Sequence, residues 1–354
     1  PADNTLVVPA GVTAIGSYAF KGQTEITKAY IPDTVQYIGE YAFFGNSALE
    51  EVFFYKTKDD GAGNIEADLD SNGNYQTNPI PSLLTIDNAA FANCKSLKTF
   101  VIPSSVTNIN DHAFYKCKSL GSTATKEKPF ILPSTVKKYG NYAFAYTGLT
   151  YVKFTGDYIN TSVGEYFFAN TPNIKKVDFN IAETKIERVY GSMFHTSGIS
   201  EIDLTGIKFL GRYSFTNAYI KEITIPSTMV SISSAFVRSE NLEKVIFEDN
   251  TVMSSFESDA FTRTLSLKTI ENMEGLTELT FMGTHTFTDS GIKSVAIPDK
   301  VVHFGISVGT PATHREQNFI FNNCPNLESV VLPSGVQTIG GNMFNDTPNL
   351  KYVT

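Results

Sequence analysis

The sequence has no tryptophan, three cysteines in 354 residues, and no apolar run near the ~20 residues that cross a bilayer. The absence of such a run means that no membrane-spanning helix is expected in this segment. Three cysteines are too few for a disulfide-framed domain, so a packed core must hold the chain together. Positive charge is also short: 28 Lys and Arg against 36 Asp and Glu give a net charge of −8 and a pI near 5.2. A nucleic-acid binder needs a basic stripe to meet phosphates, and an anionic membrane needs a polybasic patch. Neither is present, so neither partner is expected. The five histidines (His112, His195, His285, His303 and His314) are scattered, with no paired metal-ligand spacing. No signal peptide is visible, but the first residue is Pro1 rather than Met, so nothing about export follows. The apolar fraction of 42% is that of a folded protein, not a disordered one.

What the sequence has is repetition. A phenylalanine recurs about every 23 residues, at Phe20, Phe43, Phe91, Phe114, Phe144, Phe168, Phe194, Phe215, Phe236, Phe261, Phe287, Phe321 and Phe344. One unit runs Ile31-Pro32-Asp33-Thr34-Val35-Gln36-Tyr37-Ile38-Gly39-Glu40-Tyr41-Ala42-Phe43 and, after a turn, Leu49-Glu50-Glu51-Val52. A period this short implies stacked coils, each completing its neighbour's core. Within a unit, L-x-x-V-x-I-P is a short strand: Leu97, Phe100 and Ile102 face inward, and Pro103 ends the ladder because it lacks an N–H. V-x-x-I-G (Val35, Ile38, Gly39; Val106, Ile109) is a second extended piece, with Gly suited to a sharp turn. The period leaves no room for a full helix.

These strings, with Ala90-Phe91-Ala92-Asn93-Cys94-Lys95-Ser96-Leu97 as an A-F-x-x-C-x-x-L, resemble the BspA-like branch of the leucine-rich repeats from about Leu6 to Val353. Units around Phe168, Phe194, Phe261 and Phe287 lack the strand-end Pro or the Ile-Gly pair. The expected fold is a β-rich α/β solenoid: a leucine-rich-repeat right-handed superhelix of about thirteen repeats, with short strands on its inner face and little helix. It is expected as a single domain over residues 1–354, with an insertion loop at 55–81 and shorter insertions near 121–129 and 305–318. The resemblance implies a surface-displayed or secreted, often adhesive protein of a host-associated microbe, without catalytic residues.

Several local motifs have plainer structural readings. Cys94, Cys117 and Cys324 each fall three residues after a repeat Phe, where other units place Asn46, Thr147, Thr171, Ser239 or Thr264. A slot shared with small polar residues is structural, facing backbone inside the turn. Cys94 and Cys117 sit in adjacent coils, and whether they are bridged stays open. Gly305-Ile306-Ser307-Val308-Gly309 matches G-x-S-x-G, but Pro311 opposes the helix a nucleophile elbow needs, and His314 alone completes no triad. Asp68-Leu69-Asp70-Ser71-Asn72-Gly73 fits the front of a calcium loop, yet Pro79 stands where the closing Glu belongs. The reading is no cofactor, with calcium at Asp68, Asp70 and Asn72 as the alternative to a polar hairpin.

Outward strand positions supply the candidate binding residues. Lys176, Asp178, Glu201 and Asp203 form a mixed-charge series in the middle units. Tyr30, Phe53, Val101 and Ile131 form an apolar series toward the N-terminus, to be covered either by a partner or by the 55–81 insertion. Leu350-Lys351-Tyr352-Val353-Thr354 finishes on a repeat strand and leaves its edge open, so the expectation is either that the natural chain continues beyond Thr354 or that this end packs against another molecule, self-association included. Together these point to a non-enzymatic recognition or adhesion protein, at the cell surface or secreted, that binds an extracellular host or matrix protein through the curved repeat face. The second reading is a scaffold segment of a larger exported protein with no ligand of its own.

Overall fold

A computed structural model describes residues 4–78, 81–158, 161–249, 251–305, 318–336 and 339–354. They divide into two compact units, Pro1–Lys185 and Ile186–Thr354, each built from the same coil. In the first unit, parallel strands Thr5–Val7, Lys28–Pro32 and Glu51–Tyr55 form one ladder, and Phe130–Pro133, Tyr151–Thr155 and Lys176–Asp178 form a second. A further sheet joins six two-residue strands, from Ala14–Ile15 to Ser162–Val163. The second unit repeats this plan. Its ladders run Glu222–Ile225, Lys244–Phe247, Thr269–Glu271 and Ser294–Ala296, Ser329–Val331, Tyr352–Val353. Partner residues are one coil apart, as when Tyr30 pairs with Phe53. Helix among the described residues amounts to Ile181–Thr184 and a 3₁₀ turn at Met273–Gly275. The solenoid expected from the repeat is the one observed.

Why there is so little helix is visible around each repeat Phe. The residues two before and two after it have positive φ: Ala89 (51°) and Asn93 (63°) flank Phe91, and Tyr142 (56°) and Tyr146 (58°) flank Phe144. A left-handed residue every four positions stops a right-handed helix from propagating. The N–H groups released this way turn to the next coil. Ala89, Phe91 and Asn93 donate to the carbonyls of Asp111, Ala113 and Tyr115 at 2.9, 2.9 and 2.8 Å. The turns are thus a ladder in their own right, with every second amide satisfied between coils.

The phenylalanines stack inside that turn. In the first unit, Phe43, Phe91 and Phe114 lie with centroids 5.0 and 5.5 Å apart and planes within 4° of parallel. In the second, Phe236, Phe261 and Phe287 repeat the column at 5.4 and 5.5 Å. All six rings are fully buried. Leu97, Phe100, Ile102, Val106 and Ile109 are also buried, as their spacing predicts. The glycine after the second strand has a different reason from the one expected. Gly39 has no positive φ, but a Cβ there would come within 2.6 Å of the Ser17 backbone nitrogen. Close stacking of coils, rather than a sharp turn, demands it.

Candidate partner-binding face

Within the described part of the 55–81 insertion, the chain forms two small hairpins. Thr57–Asp59 pairs antiparallel with Ile65–Ala67, and Leu69 bridges Tyr75. Each tip is closed by an aspartate. Asp59 accepts from the Gly61 and Gly63 amides, and Asp70 from those of Asn72 and Asn74 and from Asn74 Nδ2. The bonds from Asn74 and Asn72 hold the Asp70 carboxyl below its ordinary pKa. Of the calcium candidates, Asp70 therefore serves as the cap of its own turn, while Asn72 is an exposed turn residue and Asp68 is half-buried. Pro79 lies outside the described residues. No group of three or more His, Cys, Asp or Glu that could hold a metal occurs among the described residues.

The insertion is tied down at its base. Asp33 accepts from Thr57 Oγ1 at 2.6 Å and from Asn78 Nδ2 at 2.7 Å, and the buried Tyr55 hydroxyl donates to the Val8 carbonyl at 2.7 Å. Burial above all raises the Tyr55 pKa to about 12. Tyr75 then lies against both Tyr55 and Tyr30, with centroids 4.8 and 5.0 Å away, and Tyr30 stacks on Phe53 at 5.2 Å. Two of the four apolar candidates are therefore half-covered from within the chain.

The other two are open. Val101 is 80% exposed and Ile131 is 42% exposed. Both line a groove of about 500 Å³, walled also by Phe100, Ile102 and Phe130, with Lys98 and Lys128 on its lining. The chain makes this groove by missing a rung of its ladder. Lys98 N–H still donates to the Glu50 carbonyl at 3.0 Å, and the Gly121 N–H to the Lys98 carbonyl at 3.0 Å. Thr99 keeps one bridge to Glu51. Then the 121–129 insertion diverts the backbone, and the next strand begins only at Phe130. Among the described residues, Val101 and Ile102 belong to no strand. Gly121 is needed at the diversion: its φ is +66°, and a Cβ would strike Leu149 Cδ2 at 2.4 Å. Thr150 Oγ1 pins the loop by donating to the Ala124 carbonyl at 2.6 Å.

The charged candidates are spread more widely. Asp178 faces Lys153 of the neighbouring strand at 3.7 Å, and Lys176 is on the same strand as Asp178. Glu201 and Asp203 belong to the other unit, where Asp203 caps a turn by accepting from the Thr205 amide at 2.9 Å. Exposed pairs such as Lys153–Asp178 contribute ~0–1 kcal/mol each and are screened by salt, so they act as a solvated face.

The three cysteines are free thiols, and each Sγ donates to the carbonyl of a repeat Phe one coil back: Cys94 to Phe43 at 3.1 Å, Cys117 to Phe91 at 3.0 Å and Cys324 to Phe287 at 3.0 Å. Burial pushes the Cys94 thiol up to about 12. This is the structural slot expected from the sequence. Of the G-x-S-x-G string, residues from Ile306 onward, and His314 with them, lie outside the described residues, as does most of the 305–318 insertion. No helix among the described residues is long and apolar enough to cross a membrane.

One class of surface residue was missed. Two positions before many repeat Phe residues stands an aromatic side chain, and these stack along the turns: Tyr18 on Tyr41 at 5.2 Å, His112 on Tyr142 at 5.0 Å, Tyr142 on Tyr166 at 4.7 Å and, in the second unit, His285 on Phe319 at 4.9 Å. The signal was there, a ring at a constant offset from the Phe, but it does not alternate like a strand.

The family described as BspA type leucine rich repeat region matches the chain in six copies, over residues 4–66, 64–190, 187–308 and 311–354. Among solved structures, a leucine-rich repeat protein from Bacteroides ovatus is similar at 21% identity and a TM-score of 0.64, covering 99% of this chain and 86% of its own. A leucine rich cell surface protein from Faecalibacterium prausnitzii aligns at 18% identity and a TM-score of 0.46, over 99% of this chain and 87% of its own. No curated protein matches the chain.

Proposed function

The chain belongs to the BspA-type leucine-rich repeat family, and from that premise we propose a non-enzymatic recognition protein, displayed or secreted, that binds an extracellular protein through the ladder face of its first unit. The observation that carries this is the groove at the missing rung. Val101 and Ile131 are exposed beside a backbone segment that joins no sheet. An unpaired strand edge between apolar side chains suits an extended segment of a partner, which adds main-chain hydrogen bonds and seats alternate side chains. Lys128 favours an acidic flank on that segment, Lys98 being already paired with Glu50 at 2.8 Å.

The test is to find the partner by screening the purified chain against extracellular host and matrix proteins, then to assay Val101→Asp and Ile131→Asp. Both side chains are exposed, so melting should move little, while binding should fall about tenfold or more. Unchanged binding by both variants would remove the groove from the function. Tyr30→Ser and Phe53→Ser provide the contrast. With Tyr75 packed on Tyr30, they should lose stability before they lose binding.

A further inference from the structure

The turn side of the first unit carries a second recess, remote in kind from the ladder. Its surface rings stack one per coil, but one coil has none. Tyr41 is followed by Ala89 and then by His112, which continues into Tyr142 at 5.0 Å. In the neighbouring row, which also holds Lys21, Ala145 and Ala169, the two rings Phe44 and Tyr115 stand on either side of Ala92. The coils themselves stay in register, since Tyr41 N–H donates to the Asn88 carbonyl at 3.0 Å and Ala89 N–H to that of Asp111 at 2.9 Å. What the two alanines leave is an open notch of about 480 Å³ with Tyr41 and Phe44 on one wall and His112 and Tyr115 on the other. The walls are two coils apart, about 10 Å, which leaves room for one planar group at the pitch of the ladder.

The chemistry of the walls says which planar group. The rings beside the notch already hold cations from the chain itself. Lys21 Nζ lies 5.1, 5.5 and 5.4 Å from the centroids of Tyr18, Tyr41 and Phe44, and Lys116 Nζ lies 5.0 and 5.7 Å from those of Tyr115 and Tyr146. Each wall also brings a carboxylate, Glu40 on one side and Asp111 on the other. Neither is ion-paired among the described residues. Asp111 Oδ1 accepts the Asn141 amide at 2.9 Å, which fixes the carboxylate in place. A guanidinium is planar, stacks on aromatic faces and forks into carboxylates, whereas an ammonium is a point charge that needs only one ring. We infer that the notch is a binding site for an arginine side chain of a partner protein, stacked between the Tyr41 and His112 walls and ion-paired to Glu40 and Asp111.

The test needs no identified partner. Nα-acetyl-arginine amide is titrated into the chain while the His112 and Tyr115 ring resonances are followed by NMR, with the neutral planar isostere Nα-acetyl-citrulline amide and a methyl glucoside alongside. Arginine should give saturable shifts, and citrulline should bind about tenfold more weakly, having lost both the cation–π attraction and the two carboxylate pairs. Glu40→Gln and Tyr115→Ala should each weaken arginine with little change in melting temperature. The decisive variant is Ala89→Tyr. Tyr41 and His112 occupy the equivalent position at φ 55° and 59°, against 51° for Ala89, so the backbone already accepts a ring there. The variant should fill the notch, abolish arginine binding and melt no lower than the parent. Citrulline or glucoside binding as well as arginine, or a folded Ala89→Tyr chain that still binds it, would overturn the inference.

Discussion

Phe91→Ala tests whether the stacked column is the structural spine. Phe91 is fully buried, sandwiched between Phe43 at 5.0 Å and Phe114 at 5.5 Å, and meets Phe100 at 5.1 Å. Truncating a buried Phe costs ~3–5 kcal/mol, and ring contacts on both faces place this site toward the upper end. Phe20 is in the same column but meets only Phe43, tilted by 30° at 5.3 Å, and is only half-buried. Phe20→Ala should therefore cost about half as much. Lys98 is exposed, with its ammonium 2.8 Å from a Glu50 carboxylate, and Lys98→Ala should cost less than about 1 kcal/mol. Urea unfolding of the four proteins, followed by far-UV circular dichroism with midpoints compared at constant slope, reads out the order. Equal losses for Phe20→Ala and Phe91→Ala would show that neighbouring coils do not share the ring energy. A loss for Lys98→Ala as large as for Phe91→Ala would refute the inside/outside assignment altogether.

Native chains should resist N-ethylmaleimide at Cys94, Cys117 and Cys324, all buried, and react fully in guanidinium; rapid native labelling would contradict the closed turn. Burial raises the folded pKa of Cys94 to about 12 from an ordinary 9.0, so its share of stability is complete below pH 9 and is lost as pH rises toward 12. Cys94→Ser, compared with the parent from pH 8 to 11, should show a shallower alkaline decline. Calcium at millimolar concentration should leave the melting temperature unchanged, because Asp70 already caps its turn; a calorimetric titration with micromolar affinity would reverse that reading.

Legibility in the sequence followed periodicity. The Phe column, the inward Leu97, Phe100 and Ile102, and the cysteine slot are positions that every coil must solve alike, so repetition exposes them. The 55–81 insertion repeats nothing, and its packing of Tyr75 on Tyr30 rests on nonlocal contacts, such as Asn78 to Asp33, that no spacing encodes. The same holds for the groove. Val101 reads as one more outward residue, and only the backbone diversion after Gly121 leaves its strand unpaired. Asp70 shows a motif open to two readings. Its motif was legible as a ligand pattern, but the same short acidic side chain is equally suited to accepting turn amides, and the turn uses it so.

Both candidate sites of the first unit arise where the repeat breaks its own rule. A perfect coil satisfies its neighbours completely: strands pair, rings stack, and nothing specific is left over for a ligand. At the groove, an insertion removes one rung of the strand ladder. At the notch, two alanines remove one rung of the surface rings while the backbone stays in register. The vacated rung is in each case bounded by rungs that remain, so its dimensions are set by the coil pitch and its walls are already rigid. That is the preorganisation a recognition surface needs, since little ordering entropy remains to be lost on binding. It also makes the two sites separable. Ala89→Tyr should leave binding at Val101 and Ile131 intact, and Val101→Asp should leave the arginine titration unchanged; coupling between them would mean that the coils transmit strain rather than act as independent rungs.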